Sequence, residues 1–155
     1  MDNPGSILIT GASGGIGAAL ALDYAAPGRF LWLSGRSEPR LEEIAAKCRS
    51  KGAIATAQTL DVTDGVAMKS WIAACDEAAP LDLVIANAGI SGGGPDGAAA
   101  ETIFSINLDG VLNTVLPALE AMQQRGTGQI AIMSSLASFR GLPGAPAYSA
   151  SKAAV

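Results

Sequence analysis

Histidine is absent from the 155 residues. That removes Ser-His-Asp triads, Cys-His dyads, histidine-ligated zinc and imidazole acid–base chemistry together. Cysteine is scarce. Cys48 and Cys75 stand 27 residues apart with no CxxC pattern, too few for a four-cysteine zinc site, so reduced thiols in a cytoplasmic protein and no metal are expected. Charged residues make up only 15% of the chain and the net charge is −4. A phosphate-coating, nucleic-acid-binding surface is therefore not expected. No run approaches the ~20 apolar residues of a membrane span. Met1–Gly5 contains Asp2 and no Lys or Arg, so it does not read as the basic head of a signal peptide. Internal repeats and blocks of like charge are missing as well.

What is present is apolar. The residues A, V, I, L, M, F, W, Y and C make up 49%, which excludes intrinsic disorder. A chain of this length suits one domain, spanning residues 1–155, and buries about 68–70% of the surface its unfolded form exposes. Mean hydropathy of +0.33 is inflated by Ala and Gly. It also fits strands that are apolar on both faces, as in a buried parallel sheet.

The apolar runs are short and alternate with helical patterns. Strands are predicted at Ser6–Thr10, Phe30–Ser34, Ala53–Leu60, Leu81–Ala86 and Gln129–Ser134. Helices are predicted over Gly15–Ala26, with Ile16 and Leu20 on one face, and over Glu38–Ser50, with Leu41, Ile44 and Ala45 as its inner stripe. A third follows a Thr63-Asp64 cap to Ala79, with Val66, Trp71 and Ile72 as core contacts. A fourth spans Thr102–Gln124 with a bend at Pro117, and a last one opens at Pro146. Ser91–Ala100, rich in Gly and Ala, reads as a mobile loop. Fivefold alternation predicts an α/β fold: a doubly wound parallel sheet between two helix layers. Ligands of such sheets bind beyond the carboxyl ends of the strands, where strand order reverses.

The unusual residues fall at those ends. Thr10-Gly11-Ala12-Ser13-Gly14-Gly15-Ile16-Gly17 joins the first strand to the first helix. Glycines there let backbone approach a pyrophosphate, and free N–H groups with the helix dipole favour the anion. Gly11, Ser13, Gly15, Ile16 and Gly17 are the candidate contacts. An acidic residue about 20 positions on usually reads the adenosine ribose. Here Ser34-Gly35-Arg36 stands instead. The Arg36 guanidinium can pair with a 2′-phosphate, which points to NADP, with NAD as the alternative cofactor. Asp61-Val62-Thr63 follows the third strand as cap, ligand or both. Asn87-Ala88-Gly89 follows the fourth, as a plain turn or as a tie to neighbouring strands.

Tyr148 and Lys152 are four residues apart on one helix face. A phenol's ordinary pKa near 10 is too high for efficient proton exchange at neutral pH, and a nearby ammonium favours the phenolate. Ser135 lies 13 residues before Tyr148, and a hydroxyl there can hold a substrate carbonyl oxygen. On spacing alone Ser134 or Ser138 serves equally.

Taken in order, Thr10–Gly17, Asp61-Val62-Thr63, Asn87-Ala88-Gly89, Asn107, Ser135 and Tyr148-x3-Lys152 resemble the short-chain dehydrogenase/reductase family. The resemblance covers nearly the whole chain. It implies a Rossmann-type domain and hydride transfer between NAD(P) and a hydroxyl or carbonyl group. It implies Tyr148 as acid/base, Ser135 as the substrate-orienting hydroxyl and Lys152 on the nicotinamide ribose. It also implies that Asn107 bends its helix and holds a relay water, that Asp61 and Val62 face the adenine, and that Asn87, Ala88 and Gly89 line the cleft. Ser34-Gly35-Arg36 is similar to the NADP-preferring members, although no basic residue precedes Gly15. Family members continue into a sixth and usually a seventh strand that carry the substrate-binding part, so the expected sheet is truncated after strand five.

Two functions follow as expectations. One is an NADP(H)-dependent oxidoreductase acting on a small alcohol or ketone, in a homo-oligomer, with no nucleic-acid or membrane partner. The other is a non-catalytic nucleotide-binding fragment that self-associates through the exposed edge of strand five.

Overall fold

The computed structural model describes residues 4–92 and 98–155. Five strands, β1 (Ser6–Thr10), β2 (Phe30–Gly35), β3 (Ile54–Thr59), β4 (Leu83–Ala86) and β5 (Gln129–Ile132), form one parallel sheet in the order β3-β2-β1-β4-β5. Among the described residues six α-helices connect or follow them: α1 (Gly15–Tyr24), α2 (Glu38–Ser50), α3 (Gly65–Ala78), α4 (Ala100–Phe104), α5 (Gly110–Arg125) and α6 (Pro146–Ala153). The order reverses at β1, where the chain leaves toward β3 and returns to β4. The crevice expected of such sheets therefore opens between β1 and β4.

Alternation along the strands feeds two cores. Ile7, Ile9, Leu31, Leu33 and Ile85 point to the layer of α1 and α2, while Leu8 and Val84 point to the layer of α3 and α5. Each fully buried aliphatic side chain contributes about 1.5–3 kcal/mol. This is the double burial that the continuous apolar runs signalled.

The structure corrects several local expectations. Ile16 is 59% exposed and Val66 is 80% exposed, so neither belongs to the core. Small residues, Gly17, Ala18 and Ala21, bring α1 close to the sheet instead. Met68, Ile72 and Cys75 form the inner stripe of α3. Cys75 is buried enough that its thiol is pushed up to about 12. Leu81 is buried but precedes β4. Its N–H donates to the Asp76 carboxylate and its carbonyl accepts from Arg125, so side chains replace the sheet there. Of the loop expected over Ser91–Ala100, residues 93–97 lie outside the described residues, and Ala100 already opens α4.

The stretch Ala100–Arg125 is long and apolar enough to cross a bilayer by length and composition. It packs instead on the sheet, with Ile103, Ile106, Val111, Ala118 and Met122 buried. Pro117 sits inside α5 without ending it. A π turn at Ser105–Asp109 precedes α5. At the far side β5 is the sheet's edge, with Ile132 41% exposed.

Candidate active site

The turn after β1 is shaped by contacts that exclude side chains. Gly11 has φ +68, and a Cβ on it would lie 2.8 Å from the Cα of Ala88. A Cβ on Gly17 would press on the carbonyl of Gly11 and lie 2.6 Å from Asn87 Nδ2. Asn87 ties β4 to this turn. Its Nδ2 donates to the carbonyl of Thr10 at 2.9 Å, and Thr10 Oγ1 accepts from the N–H groups of Asn87 and Ala88 at 3.1 and 3.2 Å. Asn87 is thus the inter-strand tie rather than a plain turn residue. Ala12 N–H donates to the carbonyl of Ser34 at 2.8 Å, which fixes the turn against β2. The N-terminus of α1 has no capping side chain and no acidic residue in its first turn. That end is therefore electropositive and open to an anion.

Two clefts of about 320 Å³ each meet at Gly11, Gly14, Ala88, Gly89 and Ile90, forming one groove across the strand ends. Toward β2 and β3 it is lined by Ser13, Arg36, Ser37, Arg40, Asp61 and Val62. Asp61 does not cap α3. Its Oδ1 accepts from the N–H and hydroxyl of Thr63 at 3.0 and 2.8 Å, while Asp64 caps the helix by accepting from Ala67 N–H. Those two bonds from Thr63 hold the Asp61 carboxyl below its ordinary range, and the Arg36 guanidinium adds to the effect.

The other end of the groove is lined by Gly15, Ile16, Met133, Ser134, Tyr148 and Lys152. The exposed Ile16 thus has a place as an apolar wall. Lys152 is 4% exposed and its Nζ donates to the carbonyl of Met133 at 2.7 Å. A Cβ on Gly89 would lie 3.2 Å from this nitrogen, so the missing side chain is what admits the ammonium. Burial lowers the Lys152 pKa from its ordinary value.

Asn107 is fully buried within the π turn. Its Oδ1 accepts from Ile90 N–H at 2.8 Å, and its Nδ2 donates to the Ile90 carbonyl and to Ser151 Oγ, each at 2.9 Å. Ser151 in turn donates to the Tyr148 carbonyl at 2.8 Å. One amide thereby joins the segment after β4 to the helix that bears Tyr148 and Lys152. Each polar group left without its partner here would cost about 1–3 kcal/mol. Ser151 is a positioning residue that sequence reasoning missed; its place three residues after Tyr148 was the available signal.

The three candidate serines separate. Ser134 lines the groove and its hydroxyl donates to the Lys152 carbonyl at 2.8 Å. Ser135 Oγ accepts from Ala137 N–H at 3.2 Å at the start of a 3₁₀ turn, and among the described residues it donates to nothing. Ser138 donates to the Ser135 carbonyl at 2.5 Å. The structure brings Tyr148, Lys152 and Ser134 to one cleft, sets Asn107 behind them, and leaves Ser135 outside the groove lining. Arg40 also lines the groove and was not foreseen.

The chain matches the family model described as short chain dehydrogenase over residues 6–155. An uncharacterized oxidoreductase of Myxococcus xanthus (strain DK1622) is 40% identical over 153 residues, which are 94% of this chain and 60% of that protein. A crystal structure of a tryptophan variant of actinorhodin polyketide ketoreductase with NADPH superposes with a TM-score of 0.87 at 32% identity, over 96% of this chain and 59% of that one. NAD+-bound xylitol dehydrogenase superposes with a TM-score of 0.91 at 28% identity, over 99% of this chain and 62% of that one. The chain spans about 60% of the length of the curated relatives it matches first.

Proposed function

The chain belongs to the short-chain dehydrogenase family, and from that premise we propose that it is an NADP(H)-dependent oxidoreductase in which Tyr148 transfers the proton. The substrate class is a small alcohol or ketone. One observation carries this reading: Tyr148 and Lys152 share a cleft with the glycine turn that suits a pyrophosphate.

The residues fit a nicotinamide dinucleotide. A Cβ on Gly14 would meet nothing within 4 Å, so the floor of the groove is bare backbone beside the uncapped start of α1. The groove runs from Asp61 and Arg36 at one end to Lys152 at the other, which suits adenosine at the first end and nicotinamide ribose at the second. When bound, the nicotinamide supplies or accepts the hydride. Asp61 and Val62 would flank the adenine, and Ile16 would shield the cleft from water. Lys152, fixed by the Met133 carbonyl, directs its remaining N–H groups to the ribose. In reduction the Tyr148 hydroxyl would give its proton to the substrate carbonyl oxygen. In oxidation the same atom takes that proton back. The Ser135 hydroxyl, which accepts from Ala137 N–H and donates to nothing among the described residues, is assigned to the substrate oxygen from outside the groove lining. Asn107 keeps α6 in register through Ser151.

NADP preference is assigned to Arg36. Arg36→Asp is expected to weaken NADPH binding at least about tenfold and to shift preference toward NADH. Fluorescence titration of both nucleotides checks it, and an unchanged NADPH/NADH ratio contradicts the assignment.

A second reading has its own observation. β5 is an open edge, and Leu136, Phe139 and Leu142 beyond it are exposed. A nucleotide-binding chain that self-associates through this face without turnover accounts for that surface. Light scattering with a turnover assay separates the two, since a clean monomer that turns over excludes the second. A cytoplasmic location and a homo-oligomeric state belong to the proposal on the same terms.

A further inference from the structure

The segment after β3 forms one wall of the groove's adenosine end, through Leu60, Asp61 and Val62. Its own bonds do little to fix that wall. Leu60 N–H donates to the Gly35 carbonyl at 3.1 Å, the last bond to β2. Beyond it, among the described residues, Thr63 donates only to the Asp61 carboxylate, and Asp64 N–H donates to the Asp61 carbonyl. The tie to the rest of the fold comes from α5. Asn113 Nδ2 donates to the Val62 carbonyl at 2.9 Å and approaches the Thr63 carbonyl at 3.5 Å. Two glycines permit this contact. A Cβ on Gly110 would lie 2.6 Å from Val62 Cγ2, and one on Gly65 would lie 2.9 Å from Asn113 Oδ1. Val62 is thereby buried against α5 on one side and borders the groove on the other. Asn113 itself does not line the groove.

We propose that Asn113 is a positioning residue for adenosine binding: its amide holds the Val62 backbone, and with it the Asp61 carboxylate, at the place across the groove that the nucleoside requires. The amide supports the wall from behind and touches no ligand. A wall free to drift must be ordered when the nucleoside arrives, and that cost appears as lost affinity. One net hydrogen bond corresponds to a factor of about three to ten in affinity. This assignment rests on the nucleotide reading given above.

The test titrates the full chain with 5′-AMP by calorimetry and with NADPH by fluorescence. Asn113→Asp keeps the shape and exchanges the donor for an oxygen facing the Val62 carbonyl. It is expected to weaken 5′-AMP and NADPH by the same factor, about three- to tenfold, because both share the adenosine end. Gly65→Ala separates positioning from stability. Gly65 opens α3 without a positive φ, so alanine suits the helix, while its methyl displaces the Asn113 amide. The melting temperature is expected to hold or rise as 5′-AMP affinity falls. Gly65→Ala combined with Asn113→Ala should bind no worse than Asn113→Ala alone, because the methyl then has no amide to displace. If either Asn113→Asp or Gly65→Ala binds 5′-AMP within about twofold of wild type, the proposal is overturned and the nucleotide reading stands. Additive losses in the double variant overturn it, as does a loss for NADPH without one for 5′-AMP. A melting temperature that falls together with affinity in Gly65→Ala marks a merely structural contact and overturns it as well. If wild type binds neither nucleotide, the nucleotide reading fails and this assignment fails with it.

Discussion

Gly17→Ala is expected to destabilise the fold by about 2–4 kcal/mol and to abolish nucleotide binding. The new methyl group would press on the Gly11 carbonyl and on the Asn87 amide, 2.6 Å from its nitrogen. Neither neighbour is free to yield. Gly11 is held by its own left-handed conformation against Ala88, and the Asn87 amide is the donor that joins the turn to Thr10. Relief requires α1 to move off the sheet, which opens the core around Ala21 and Ile9. Gly14→Ala is the matched control. A methyl there meets no protein atom and its φ of 178 is ordinary extended backbone, so stability should change by less than about 0.5 kcal/mol, while NADPH affinity falls because the methyl enters the cradle. Chemical denaturation and nucleotide titration read the two effects. A Gly17→Ala protein as stable as wild type would show that α1 does not approach the turn as described.

The second large effect is on chemistry. Tyr148→Phe removes one oxygen and keeps the ring. On the proposed function, ketone reduction is expected to fall by about 10²–10⁴, the usual worth of a positioned acid or base. NADPH affinity should change less than about twofold, since the glycine turn, Arg36 and Lys152 remain. Loss of NADPH absorbance against a panel of small ketones measures the first, and fluorescence titration the second. A variant that retains more than about a tenth of the turnover would assign the proton to another group. None is evident beside Tyr148: histidine is absent, and Lys152 is buried and committed to the Met133 carbonyl.

The layers of the fold were legible because strand runs apolar on both faces leave few alternatives to a covered parallel sheet. Helix faces were less legible. Ile16 and Val66 fit an inward stripe by spacing, yet α1 buries glycine and alanine. Close helix–sheet packing selects small residues that hydrophobic patterning ignores. The glycine turn, Asn87, Tyr148 and Lys152 could be placed from sequence because each sits at a strand end or on a short helix, where local spacing sets position. A bend at Asn107 carried no local signal and was expected only through the family resemblance; the structure has a π turn there. Its cause is tertiary, a buried amide satisfied by Ile90 and Ser151. Asp61 and Asp64 both looked like caps. Only the chain path shows that Asp64 caps α3 while Asp61 turns back on Thr63. The choice among Ser134, Ser135 and Ser138 depends on side-chain direction after β5, which sequence spacing does not encode. Arg40 was legible in principle, four residues after Arg36, but its place in the lining appears only once α2 is seen to lay its first turn along the groove.

The most direct measurement is the structure of this chain with NADPH bound. The adenosine is expected between Asp61 and Arg36, the pyrophosphate over Gly14, and the nicotinamide in the cleft with its reactive carbon facing the Tyr148 hydroxyl and its ribose on Lys152. A nucleotide seated away from the glycine turn, or a Tyr148 hydroxyl directed out of the cleft in a well-ordered α6, would contradict the assignment.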